Sequence, residues 1–296
     1  MNELQLPRLI SNHMVLQRNK EIHIWGRDLP GHRVMVSFRG EEAVVQTDEK
    51  GNFSLFLQKQ EAGGPFSMLF RDDLGNEEVV SDVYIGEVWF CSGQSNMELP
   101  MNRVKDRFPE DVADCKNTQI RTFKIRENGV FTAPLAEPES GEWKSVQPET
   151  ILDFSAAGYY FAKALQELLK VPVGFIDASL GGSLIESWMS REMLHGMTAE
   201  LALAEKYSDA AFVKEQLLKN EQQSNAWHAR LDAADQGLKQ HWEKECYDNE
   251  NWGMVTVPGR GIKGIYWKCV AEAELYGDPR DGRKTRKAVA WNDCGQ

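Results

Sequence analysis

The run Gly86-Glu-Val-Trp-Phe-Cys-Ser-Gly-Gln-Ser-Asn-Met97 constrains the fold more than any other stretch of the chain. Tyr84 to Cys91 is dense in β-branched and aromatic residues, the composition of a buried strand. Ser92-Gly93-Gln94-Ser95 then turns the backbone sharply, with Gly93 supplying the freedom to do so. A serine thrown off a strand end presents its Oγ and its own N–H to one space, as a nucleophile and an oxyanion donor require. Met97 stands where the Gly-x-Ser-x-Gly elbow carries its second glycine, so this is a different turn. On these residues alone, a serine-rich βα turn without chemistry is the alternative.

The texture around that turn is α/β. Ile120–Ile125 reads as a strand, Ala156–Lys170 as an amphipathic helix and Val173–Ser179 as a short buried strand. Strand, helix, strand in this order predicts a parallel sheet, whose ligands gather at the carboxyl ends of its strands. Ser95 and Gly181-Gly182 both follow strand ends and so share one rim. Asp177 lies within its strand and reads as a sheet or turn residue.

Residues before about 80 alternate short apolar runs with turn chemistry. The runs are Glu21–Trp25, Arg33–Phe38, Ala43–Thr47, Phe53–Leu57, Ser67–Phe70 and Glu78–Val83. This spacing predicts a small β-sandwich over 1–83, packed on an α/β domain over 84–245. Residues 197–245 are rich in Ala, Leu, Glu, Lys and Gln and predict one or two long polar helices. A different module opens near 246, at Tyr247-Asp-Asn-Glu-Asn-Trp-Gly-Met254.

Composition narrows the function classes. With 45 acidic and 34 basic residues, the net charge of −11 argues against nucleic acid or an anionic membrane as partner. No apolar stretch approaches the ~20 residues of a membrane helix. The five cysteines have neither zinc-site nor disulfide-framework spacing, so no metal and no cofactor is expected. Cys91 reads as a small apolar core residue. The nine tryptophans fit either carbohydrate stacking or ordinary core use.

The serine block, read through Pro100, resembles the first catalytic block of the SGNH-type sialate O-acetylesterases, a group of carbohydrate esterases. Further segments carry the likeness: His13-Met-Val-Leu-Gln-Arg18, Ile24-Trp-Gly26 and Pro30-Gly31 before it, and Ala157-Gly158-Tyr-Tyr-Phe-Ala-Lys163 and Leu180-Gly-Gly-Ser-Leu-Ile-Glu-Ser-Trp188 after it. The resemblance implies an SGNH-hydrolase-like parallel sheet preceded by a small β-sandwich. It also implies that residues 246–296 begin an inserted, jelly-roll-like β domain. The implied activity removes O-acetyl groups from sugars, with Ser95 as nucleophile and the N–H groups of Ser95 and Gly158 as oxyanion donors. An O-acetylated sugar or glycan is then the partner; the oligomeric state stays open. Gln94, Asn96, Glu186 and Trp188 are candidates for substrate contact. Asn96 alternatively braces the turn, Trp188 alternatively anchors its loop, and Gly158 alternatively eases its helix. Arg103 is a candidate partner for an acidic sugar.

The general base is the gap in this pattern. In the family the resemblance points to, it comes from an Asp-x-x-His block beyond the inserted domain, and no such block follows in this sequence. Of the six histidines, His13, His23 and His32 belong to the amino-terminal β region. His228 and His241 lie in polar helical sequence, which leaves His195 as the stand-in. A serine without a base is a weak nucleophile near neutral pH. The chain is therefore expected to be a weakly active or inactive esterase, or a non-catalytic carbohydrate-binding protein. An acetylxylan-type substrate stays open beside sialate. The text from Lys268 onward is irregular and charged, which reads as either a frameshifted tail or a disordered extension. The family resembled is commonly periplasmic or secreted, but the amino terminus carries no signal region.

Overall fold

The computed structural model describes residues 4–113, 115–242, 244 and 248, together with the backbone of Gly253–Met254 and Trp267–Lys268. The chain divides into two compact units, Met1–Val213 and Lys214–Gln296.

The first unit is mixed α/β, with ten strands among its described residues. These are β1 Val15–Gln17, β2 Ile22–Arg27, β3 Arg33–Phe38, β4 Glu41–Gln46, β5 Asn52–Leu57, β6 Gly63–Asp72, β7 Glu77–Gly93, β8 Asn117–Lys124, β9 Trp143–Val146 and β10 Val173–Ser179. Among them run α1 Ser95–Glu98, α2 Glu110–Ala113 and α3 Ala156–Leu169, followed by α4 Thr198–Tyr207. Strands β4-β3-β6-β7-β10-β8-β9 hydrogen-bond in that order, with β1 added alongside β7, and β2 pairs separately with β5.

One strand joins the two kinds of sheet. The expected runs Glu78–Val83 and Tyr84–Cys91 are a single strand, β7. Its first part pairs antiparallel with β6, and its last part, Glu87–Gly93, pairs parallel with β10. The strand bends at the polar Ser81-Asp82 pair. Asp82 adopts φ 55°, and the β6–β7 register slips beside it, as at a bulge. Among the described residues, the stretch Glu87–Gly93 pairs only with β10. Trp89 and Phe90 within it are exposed, and the Trp89 ring stands edge-on to Phe161 of α3 at 5.1 Å.

Two cores follow from this layout. The alternating apolar residues of β2 and β5 (Ile22, Ile24, Phe53, Leu55, Leu57) share one core with Val34, Val36, Phe38, Met68, Phe70, Val83 and Ile85. The second core lies under α3, where Tyr159 and Ala162 join Ile120, Val173, Phe175 and Phe154. Gly158 lies at this contact because the helix comes too close for a side chain: a Cβ there would stand 2.7 Å from the Phe175 ring. The helix opens on Ser155, whose Oγ accepts from the Gly158 N–H. It closes at Lys170 in the left-handed conformation, one residue short of the expected helix end.

Arg121 of β8 is fully buried. Its guanidinium donates to Thr118 O (2.8 Å), His13 O (2.7 Å), Asp82 O (2.5 Å) and Asp82 Oδ2 (2.8 Å). It also lies 4.3 Å over the Tyr84 ring. His13 and Asp82, which hydrogen-bond each other at 2.6 Å, both have positive φ. The arginine thus closes the corner where the strands bend.

The helical run expected after 197 consists of α4, α5 (Ala210–Ala234) and α6 (Gln236–Gln240), none of which has a buried residue. No helix among the described residues is long and apolar enough to cross a membrane. In the second unit, Gly253–Met254 pairs parallel with Trp267–Lys268. Apart from these short strands, the inserted β domain and irregular tail expected over 246–296 lie outside the described residues.

Candidate active site

β7 ends at Gly93, whose φ of 134° suits only glycine, and the chain turns through Gln94 into the single turn of α1. Gln94 precedes the helix, and its carbonyl accepts from the N–H groups of Met97 (2.9 Å) and Glu98 (3.0 Å). Ser95 is the first residue of α1 and is exposed. Among the described residues, neither its hydroxyl nor its N–H has a hydrogen-bond partner. Asn96 is exposed beside it.

The end of β10 comes to the same rim. Leu180 N–H donates to Gly93 O at 2.9 Å, and Gly181 N–H donates to Glu98 Oε2 at 2.6 Å. A Cβ on Gly181 would stand 3.7 Å from the Ser95 Cβ and 2.5 Å from Glu98 Oε2, so this backbone lies directly against the serine turn. Glu98 was not among the residues expected from the sequence. Its one signal is its place three residues after Ser95, which puts both side chains on one face of the helical turn.

Gly158 stands differently. It is buried, and its amide is occupied by Ser155 Oγ at 3.0 Å. Ser155 Oγ in turn donates to Met97 O at 2.5 Å, tying α3 to α1. Glu186 and Trp188 lie in the single turn Ile185–Trp188 that follows the glycine pair. Trp188 is 37 % exposed, and its indole N–H donates to Ser183 Oγ at 3.0 Å. Arg103 ends the short turn Met101–Arg103 and is exposed. His195 is exposed and makes a local backbone bond to Glu192 O. No described histidine hydrogen-bonds Ser95. Among the described residues, no group of three or more His, Cys, Asp or Glu could hold a metal ion.

Beneath the rim, Asp177 is 1 % exposed; Oδ1 accepts from Ser179 Oγ at 2.6 Å, and Oδ2 has no partner. Burial pushes its carboxyl above the ordinary range, against the opposing pull of the Ser179 hydrogen bond and Lys124. Burial, with Asp177 nearby, likewise raises the thiol of Cys91, which faces it across the sheet. A carboxyl raised in the folded state destabilises the fold as pH climbs through its range, and the full cost is present above the raised value. Asp177→Asn is therefore expected to raise Tm at pH 7 and to change it little near pH 3. Melts of both proteins across that range check this, and a lower Tm at pH 7 for the variant would show that the fold needs the ionised carboxylate.

Comparison with known proteins identifies the family. The family described as carbohydrate esterase, sialic acid-specific acetylesterase, matches residues 85–240. The sialate O-acetylesterase of Mus musculus is 29% identical over 201 residues, covering 62% of this chain and 37% of its own length. That of Homo sapiens is 29% identical over 208 residues, covering 62% and 38%. The chain thus spans well under half the length of these curated relatives. The crystal structure of a carbohydrate acetylesterase from Xanthomonas citri superimposes with a TM-score of 0.61 at 37% identity, covering 65% of this chain and 43% of that one.

Proposed function

Because the chain belongs to the sialic acid-specific acetylesterase family of carbohydrate esterases, we propose that it carries the nucleophile half of a sialate 9-O-acetylesterase-like active site. Ser95 attacks the acetyl carbonyl, and its own N–H receives the oxyanion. The observation that carries this reading is the exposed, unpartnered Ser95 at the end of β7, with the Gly181 backbone at its side. Gly158 joins the oxyanion hole only by exchanging Ser155 Oγ for the substrate oxygen. Gln94, Asn96, Glu186 and Trp188 border the space a sugar would occupy. In this reading the fold is SGNH-hydrolase-like, its β2–β5 and β3–β7 layers form the accessory sandwich, and the segment from 246 begins the inserted jelly roll.

No described histidine hydrogen-bonds Ser95, and a general base contributes about 10²–10⁴-fold to such a reaction. The test supplies one from solution. Acetate release from an O-acetylated sialic acid is measured with increasing imidazole, for the chain and for Ser95→Ala. Imidazole-dependent release above the protein-free imidazole background is expected in the first and not in the second; equal rates in both would remove Ser95 as nucleophile. An acetylated xylo-oligosaccharide run in parallel separates the acetylxylan-type substrate. A second reading, sugar binding without turnover, draws on Ser95 having no histidine partner among the described residues and on the occupied Gly158 amide. Saturable glycan binding with no imidazole-dependent release would favour it.

A further inference from the structure

At the carboxyl end of β8 the surface opens into a cavity of about 410 Å³, within the range of small-molecule sites. Its wall carries four cations, Arg8, Lys124, Arg126 and Lys144, against the two carboxylates Asp153 and Glu142. In a chain with 45 acidic and 34 basic residues, this local excess of positive charge is assembled from three separate segments.

The cations are only partly committed. Lys124 Nζ donates to Asp153 O at 3.0 Å and lies 3.3 Å from Asp153 Oδ1, while Arg126 reaches the other carboxylate oxygen at 3.5 Å. One carboxylate thus serves two cations. Lys144 pairs with Glu142 at 2.9 Å, and the Arg8 guanidinium has no ion-pair partner among the described residues.

A second observation is independent of charge. Thr122 lines the same cavity, is 4% exposed, and its Oγ1 has no hydrogen-bond partner. A buried hydroxyl left unbonded is costly, and native folds seldom leave one so.

We propose that this cavity binds an oxyanion, either the carboxylate of an acidic sugar or a free phosphate. Lys124, Arg126 and Arg8 supply the charge, and the Thr122 hydroxyl is a donor. Because β8 runs parallel to β10 and β10 to β7, the site lies on the rim that carries Ser95. Two inter-strand steps, about 10 Å, separate the ends of β8 and β7. The acidic-sugar source rests on the esterase reading; the anion site itself does not, since it shares no residue with the serine turn.

The test is a binding titration of the whole chain, followed through the Thr122 methyl and the Lys124 signals by NMR. The probes are N-acetylneuraminic acid, its uncharged methyl ester, and inorganic phosphate. The acid is expected to shift these signals saturably while the ester does not. Phosphate moving them where the acid fails assigns the site to a free phosphate. Thr122→Val and Arg126→Gln should each weaken anion binding by about tenfold or more, as expected for a lost hydrogen bond to a charged group. Thr122→Val should leave Tm unchanged or raised without ligand, because it removes an unpaired hydroxyl. If that variant fails to fold, the exposed Arg126→Gln carries the comparison. Three results would overturn the proposal: no shift with either anion, equal shifts with acid and ester, or affinity unchanged in the folded variants. No step requires hydrolysis, so a failed esterase assay leaves this outcome readable.

Discussion

Arg121→Met is expected to lower the stability of the first unit by about 3–5 kcal/mol, the cost of removing one partner from a buried charged network. For a unit of this size that is a fall in Tm of roughly 10 °C or more. Methionine fills much of the volume, so the loss reports the donors. Thr118 O, His13 O, Asp82 O and Asp82 Oδ2 would all lose the group that satisfies them. Arg121→Lys keeps the charge but not the planar fork and should recover only part of the loss. The pH dependence adds a check. Burial pushes the Asp82 carboxyl up, but hydrogen bonds from His13 and Arg121 outweigh it and hold the group below its ordinary value of 3.8. Its stabilising contribution is therefore present above that value and is lost as pH falls through the lower, folded-state one. The acid limb of the stability profile should flatten in Arg121→Met. A Tm within 2 °C or so of the parent would show that the corner does not need the arginine.

Gly86→Ala is expected to cost about 4 kcal/mol or more, enough to keep much of the chain from folding. A Cβ at this position would stand 1.9 Å from Pro172 O and 2.6 Å from Pro172 C. The surrounding backbone cannot withdraw cheaply, because Glu87 N–H donates to that same carbonyl at 2.9 Å and Gly86 O accepts from Arg18 N–H at 2.8 Å. The glycine that opens the serine block is there for close passage of two chains, not for catalysis. Gly129→Ala, where an added Cβ meets nothing within 4 Å, is the control and should stay within about 0.5 kcal/mol of the parent. Soluble yield and thermal melts compare the two. Equal behaviour would mean that β7 and the Pro172 segment can separate without cost.

Much of this fold is written in periodicity. Arg33–Phe38 and Val173–Ser179 match their expected bounds because each is a compact run of alternating or fully buried residues. β1 and β9 are three and four residues long, too short for a pattern to emerge, and only pairing with longer strands makes them strands. The length of β7 is hidden because the runs Glu78–Val83 and Tyr84–Cys91 read as the end of one domain and the start of the next, whereas Ser81 and Asp82 bond to the corner within one continuous strand. Around the serine, the sequence located Ser95 and the glycine pair on one rim. It did not show the Glu98 contact to Gly181, which depends on how α1 is aimed. Nor could it show that Ser155 occupies the Gly158 amide, since capping is a three-dimensional choice among several acceptors. The cationic cavity is illegible for a related reason: Arg8, Lys124 and Lys144 are far apart in sequence and meet only through the order of β10, β8 and β9.

The continuity of β7 has a thermodynamic consequence. β7 carries the β6 ladder along its first part and the β10 ladder along its last part, so one unbroken backbone runs through both. The amino-terminal β layers and the serine turn are therefore expected to protect their amides from hydrogen exchange together, which native-state exchange would check. Loosening at the Asp82 bend would be transmitted along the same backbone to Ser95, so the precision of the nucleophile is underwritten by residues whose side chains never approach it.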